Sequence, residues 1–184
     1  MRVRAAEERD AGAIARVHVA VWREAYAGIM QAEFLADLSE TRRAVMWAST
    51  IRGEGPPDAK VFVAEDPAHG IVGFAMAGRE RTGHAEFDAE LWAINVAASH
   101  HRRGLGRMLT MAAARWLAEA GRRSMLLWVL EANPACGFYE RLGGTRLAET
   151  RVAAFGGASL TEVAYGWPSL TALVGRLEAW PPEA

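Results

Sequence analysis

The sequence predicts a mixed α/β fold: a central, largely antiparallel sheet of about seven strands with helices on both faces. Two β-rich runs, Lys60 to Glu65 and Ile71 to Gly78, flank Asp66-Pro67-Ala68-His69-Gly70, a turn composition that predicts an antiparallel hairpin. Arg146 to Val152 and Leu160 to Gly166 repeat that arrangement around Phe155-Gly156-Gly157-Ala158. Leu91 to Ala97 and Met125 to Leu130 differ, being near-continuous apolar runs of the kind buried on both faces of a sheet. The segment between them is helical, so this pair reads as a strand, helix, strand crossover.

The remaining elements follow in order. Residues 2 to 6 form a short first strand. Ile14, Val17, Val21 and Ala25 then recur at helical spacing, with Glu7 or Asp10 near the start, where an acidic group suits the helix dipole. A second helix is predicted from about Ala32 to Ile51, with Phe34, Leu35, Leu38, Val45, Met46 and Trp47 as its apolar set and Gly53-Glu54-Gly55-Pro56-Pro57 as its stop. Arg79 to Ala89 is a polar loop. In the crossover, Leu105, Leu109, Ala112 and Trp116 trace one helix face and Gly121 ends it. Asn133-Pro134 supplies a cap and a proline at the first helical position, which predicts a helix to about Leu142, closed by Gly143-Gly144. Ser169 to Trp180 is a short terminal helix. With no repeat or low-complexity linker, residues 1–184 read as a single domain, and 168–184 as its C-terminal helical extension.

Composition narrows the function. Lys and Arg total 21 against 22 Asp and Glu, a net charge of -1, so no global basic field draws in nucleic acid or an anionic membrane. Cys136 is the only cysteine, which excludes an internal disulfide and a multi-thiolate zinc site, and the five histidines are scattered without metal-ligand spacing. No bound metal is expected. The amino terminus meets acidic residues too early for a signal peptide, and no stretch approaches the roughly 18 apolar residues of a membrane span, so a cytoplasmic protein is expected.

The most informative segment is His100-His101-Arg102-Arg103-Gly104-Leu105-Gly106-Arg107, between a buried strand and a helix start. Unpartnered N–H groups, the helix dipole and two glycines make such a turn a natural seat for a pyrophosphate. A P-loop would need a Lys-Ser/Thr pair that is missing, and a dinucleotide fingerprint would need glycine at Leu109.

A third pattern fits. Residues 101 to 106 resemble the pyrophosphate loop of the GNAT superfamily of N-acetyltransferases: Gln or Arg, two residues, Gly, one residue, then Gly or Ala. Glu90-Leu91-Trp92-Ala93-Ile94-Asn95-Val96 is similar to the strand that precedes the loop in that family. Asn133-Pro134-Ala135-Cys136-Gly137-Phe138-Tyr139-Glu140-Arg141-Leu142-Gly143 is similar to its Asn-x-x-Ala/Cys-x-x-Phe-Tyr-x-x-x-Gly helix. The resemblance covers roughly residues 2 to 167 and departs at His101, which holds the Gln/Arg position and is expected to act through its backbone amide.

The resemblance implies acetyl-CoA as acetyl donor, lying in a V-shaped split between the parallel strands that end at Val96 and Leu130. Pyrophosphate would rest on the amides of His101, Arg102, Arg103, Gly104, Leu105 and Gly106, with Arg107 adding charge and Asn133 either touching the donor or only capping its own helix. The Val96 N–H would polarise the thioester carbonyl. An amine with a pKa of about 10 must lose a proton before it attacks. The resemblance offers Glu90 as base, against the alternative of a surface carboxylate; Glu86, Asp88 and His84 are further candidates from the adjoining loop. Tyr139 would protonate the leaving thiolate, or else is a core aromatic. Trp22 and Tyr26 would line the acceptor site. Cys136 reads as a buried small hydrophobe rather than an acyl-accepting nucleophile.

The expected function is acetyl transfer to a primary amine, on a small molecule or a protein, with a homodimer left open by analogy. The alternatives are a non-catalytic acyl-CoA sensor or partner protein, and transfer of another acyl group or to a hydroxyl.

Overall fold

The computed structural model describes residues 1–180 of the chain. Strands β1 (Arg2–Ala5), β2 (Lys60–Asp66), β3 (Gly70–Arg79), β4 (Ala89–Val96), β5 (Met125–Leu130), β6 (Thr145–Phe155) and β7 (Ala158–Trp167) form one sheet in the order β1-β2-β3-β4-β5-β7-β6. All neighbours run antiparallel except β4 and β5, the two strands of the crossover. The predicted seven strands and both hairpins are therefore present.

Helices cover both faces. On one, α4 (Leu105–Glu119) and α6 (Leu170–Glu178) pack on the sheet through Leu105, Leu109, Leu117, Leu173 and Leu177. The buried stripe of α4 continues through Ala113 and Leu117, one position beyond the expected Ala112 and Trp116, which are half-buried. On the other face, α1 (Ala11–Ala25) and α3 (Glu40–Ile51) enclose Ile14, Val17, Trp47, Val63 and Phe74. There Trp47 Nε1 donates to His18 Nδ1 at 3.2 Å, and burial lowers the His18 pKa to about 3, keeping the ring a neutral acceptor. Asp10 lies just ahead of α1, where it accepts from the Glu7 amide and from Arg4 of β1. Among the described residues, no helix is long and apolar enough to cross a membrane.

Two predicted helices change shape. The stretch expected to run from Ala32 to Ile51 is split into α2 (Ala32–Ala36) and α3. Ser39 caps α3 by accepting from the Arg42 amide at 3.2 Å, while Arg23 reaches across from α1 to the carbonyls of Leu35, Ala36 and Leu38 and ends α2. The break leaves Val45 and Met46 68% and 38% exposed, outside the packed stripe in which sequence periodicity had placed them. The helix expected from Asn133 begins later, as α5 (Cys136–Arg141), because Asn133 Oδ1 accepts the Ala135 amide in a turn ahead of it. The terminal helix is shorter than the predicted Ser169 to Trp180, with Ser169 as its cap. Residues 181–184 of the expected extension lie outside the described residues.

One glycine fixes the fit of the polar loop before β4. A Cβ on Gly166 would overlap the ring of buried Phe87. Gly166→Ala is expected to cost about 1–3 kcal/mol by overpacking, read as a lower denaturant midpoint with an unchanged slope.

Candidate active site

The split between β4 and β5 has a local cause. The strands are paired only at Ala89 with Met125 and Glu90 with Leu126. Against β3, Met76 faces Ala93 while Ala77 faces Leu91, so Trp92 is an extra residue in β4, a bulge that bends the strand. The Trp92 ring occupies the space over Gly78, where a Cβ would come within 2.7 Å of it. Past the bulge, Ala97 N–H donates to Val72 of β3 at 2.8 Å. Alternation along the strand then directs the Val96 and Ile94 N–H groups away from β3, into the gap.

The candidate phosphate loop follows. A short turn, Ala98–His100, leads into Arg102 with φ +58° and Gly104 with φ +74°, and α4 starts at Leu105. Positive φ at both positions curls the backbone so that successive N–H groups face one concavity. The amides of residues 102 to 107 donate to no described residue, and Met108 makes the first helical bond, to Gly104. No acidic side chain occupies this first turn. The close packing beneath it needs glycine too, since a Cβ on Gly106 would lie 2.9 Å from the Phe138 ring.

Two expectations in this loop are corrected. The His101 amide is already bound to the Ala98 carbonyl at 3.1 Å, and the His101 ring holds the Val96 carbonyl at 2.8 Å, so His101 shapes the loop rather than lending it an amide. Arg107 turns away and donates to Leu177 at the end of α6 at 2.9 Å. Arg102 and Arg103 are exposed. Leu105 is buried in the core, so only its backbone serves the loop.

Beyond the end of β5, Tyr139 of α5 is 6% exposed beside Phe138 and Tyr165. Burial pushes its phenol well above the usual value, so it remains protonated through the physiological range. Its hydroxyl makes no hydrogen bond to a described residue. Asn133 caps its turn and also donates to the Tyr26 hydroxyl at 3.3 Å, which ties α5 to the end of α1. Tyr26 stands against Trp22, with ring centroids 5.2 Å apart, and Trp22 against Phe155 at the tip of the β6–β7 hairpin. Burial and the nearby Glu162 charge both raise the Tyr26 pKa.

Glu162 was not singled out by its sequence context. It lies on β7 opposite Leu130, at the open end of the split, and is 8% exposed. Its Oε2 accepts from Arg151 at 2.6 Å, and the Arg151 guanidinium lies 4.4 Å over the Trp128 ring. No local pattern marks Glu162, because Arg151 and Leu130 meet it from two other strands.

Glu90 is placed differently from a free base. It sits at the closed root of the split, 1% exposed, with both oxygens accepting from Arg81. It is not the surface carboxylate of the alternative reading either. The neighbouring acidic residues are also engaged: Glu80 gathers the amides of Thr82, Gly83 and His84, and Asp88 those of Arg123 and Ser124. The His84 ring accepts from the Glu86 amide at 3.2 Å, and Glu86 itself is exposed. Cys136 is half-buried rather than buried, and desolvation raises its pKa, so it is held as a thiol.

An open split, a helix start with unclaimed amides and a buried phenol are the features of an acyl-CoA-dependent transferase. The residues present fit acetyl-CoA through the concave amides of 102 to 107 and the two exposed arginines. The family model for the acetyltransferase (GNAT) family matches residues 16–144, and the chain belongs to that family. It is 37% identical over 172 residues to an uncharacterized N-acetyltransferase of Bacillus subtilis (strain 168), YuaI, covering 93% of this chain and 95% of that one. Its fold is similar to the PaiA N-acetyltransferase of Thermoplasma acidophilum in complex with coenzyme A, with a TM-score of 0.62 at 16% identity, covering 88% of this chain and 96% of that one. It is likewise similar to a ribosomal-protein-alanine N-acetyltransferase of Brucella melitensis, with a TM-score of 0.67 at 20% identity, covering 91% and 99%.

Proposed function

We propose that the chain transfers the acetyl group of acetyl-CoA to a primary amine by direct attack, with no acetyl-enzyme between. The observation that carries this is the pairing of a concave run of free amides with Tyr139 and Glu162 at the open end of one split. Acetyl-CoA supplies the activated acyl group. The amides of 102 to 107, with Arg102 and Arg103, hold its pyrophosphate. The Val96 and Ile94 N–H groups, unclaimed by β3, point to where the carbonyl oxygen gains charge.

Proton removal from the amine is assigned to Glu162. Among the described residues only its Oε2 is bound, so Oε1 remains for an ammonium or for a water between them. Glu90, 1% exposed at the paired root of the split, has both oxygens engaged by Arg81 and would first have to give it up. Glu90 therefore anchors Arg81 over Trp92, where the guanidinium lies 4.6 Å from the ring centroid. As the C–N bond forms and the C–S bond breaks, Tyr139 gives its proton to the leaving sulfur and CoA departs as the thiol. The Trp22, Tyr26 and Phe155 wall, together with Glu162, presents an aromatic and anionic face, which suits a cationic amine on an apolar body.

The test is free-CoA release with acetyl-CoA and a panel of primary amines, with product masses measured. An amine that gains one acetyl group supports the proposal; acetyl-CoA binding without release for any small amine or peptide refutes it. Glu162→Gln is expected to lower kcat about 10²-fold or more at neutral pH, with a smaller loss for Glu90→Gln. The reverse order would return the base to Glu90.

A further inference from the structure

We propose that Asp66, His69 and His100 form a binding site for one divalent transition-metal ion, zinc in the first instance, behind the phosphate loop. Spread through the sequence, the histidines show no ligand spacing, but the fold brings two of them together by laying the β2–β3 turn against the turn that follows β4. One ligand atom from each of the three residues lies within 4.8 Å of the others. Two imidazoles and one carboxylate form a donor set suited to zinc and its first-row neighbours, with solvent completing the coordination.

The decisive observation is His100. It is 4% exposed, and its Nε2 is buried with no hydrogen-bond partner. Such an orphan is unusual for a buried polar atom. This nitrogen faces Asp66 Oδ2 at 3.8 Å, too far for a hydrogen bond but close to the roughly 3.3 Å between neighbouring ligands of a tetrahedral zinc. The other ring nitrogen, Nδ1, lies 2.9 Å from Ser99 Oγ. With Nδ1–H donating to that oxygen, the Nε2 lone pair is directed inward, the usual outer-shell support of a metal-bound histidine.

Asp66 is held ready by the turn itself. Its Oδ1 accepts from the amides of Ala68 and His69 at 2.9 and 3.1 Å, which leaves Oδ2 toward His100. His69 Nδ1 lies 2.8 Å from Oδ1, and the two imidazole rings are 5.1 Å apart at 76°. Glu65 is taken by Arg2 and Arg4 and adds no fourth ligand. A cleft lined by Met1, Arg2, Pro67 and Gly70 opens beside Asp66 and gives room for water. The ion would staple the hairpin turn to the residue that precedes His101, stiffening the start of the phosphate loop.

The experiment is calorimetric titration of ZnCl2 into the untagged, chelator-stripped full chain, beside His100→Ala, His69→Ala and Asp66→Asn, with thermal melts of each. The expected result is one zinc per chain, a raised wild-type Tm that chelator reverses, and at least about tenfold weaker binding in each variant. His69 is 62% exposed on its side chain, so its replacement tests the site without disturbing the core. Absence of zinc binding by the wild type overturns the proposal and leaves Asp66 and His100 as a plain His–carboxylate contact. Wild-type affinity in His69→Ala, or in a folded His100→Ala, overturns it equally by reassigning the ion to other surface groups.

Discussion

Tyr139→Phe is expected to lower kcat by about 10²- to 10⁴-fold, the usual contribution of a positioned general acid, while leaving acetyl-CoA affinity nearly unchanged. The ring stays, and with it the packing against Phe138 and Tyr165, at centroid distances of 5.3 and 5.7 Å. The hydroxyl holds no described residue, so its removal breaks no internal hydrogen bond and Tm should hardly move. What disappears is the proton offered to the leaving sulfur. Burial raises the Tyr139 pKa, so the phenol stays protonated above its ordinary pKa of 10, and activity should show no alkaline decline near that pH on its account. Steady-state kinetics and calorimetry of both proteins decide the matter. Near-normal turnover would make Tyr139 a core aromatic, and a joint loss of affinity and turnover would point to disturbed packing.

The division between what sequence revealed and what it hid follows contact range. The loop at Arg102 to Gly106 was legible because a helix start, its glycines and its charges are consecutive, and the two paired hairpins were legible from turn composition between β-rich runs. Arg107 sits in the same run, yet its guanidinium goes to Leu177, seventy positions away. The break between α2 and α3 was hidden for a like reason. Apolar residues continue at helical spacing through Leu38, and the group that ends α2 is Arg23, on another helix. Asn133 and Tyr26 were each marked by resemblance to the family, but their hydrogen bond to one another and the Glu162 charge near Tyr26 were not, because β7 carries that carboxylate opposite the last residue of β5. Glu90 shows the same limit of local pattern. Its place in a family-like motif suggested a base, whereas its environment is fixed by Arg81, from a loop whose sequence gave no hint of the pair. The metal-ligand candidates escaped notice because His69 and His100 meet only across β3 and β4.

Gly104→Asp should separate stability from cofactor binding at the other end of the site. Gly104 has φ +74° and caps α4 without a side chain; a Cβ there would meet nothing nearer than the Arg107 guanidinium at 3.9 Å. An aspartate would bear left-handed backbone strain of roughly 1–2 kcal/mol, less than a bulkier residue because Asp tolerates that region. Its carboxylate would also find the unclaimed amides of the first turn, and an N-cap of this kind returns about 1 kcal/mol. The two effects nearly cancel, so Tm is expected to stay close to wild type. The amides so capped are the ones a pyrophosphate needs, and the new charge repels it. Losing one or two charge-assisted hydrogen bonds predicts an acetyl-CoA Kd raised about 10²-fold or more. Gly104→Ala supplies the contrast, since it keeps the strain and adds neither cap nor charge: about 1 kcal/mol less stable, with affinity largely retained. If instead the aspartate variant binds acetyl-CoA like wild type, the pyrophosphate does not rest on the start of α4.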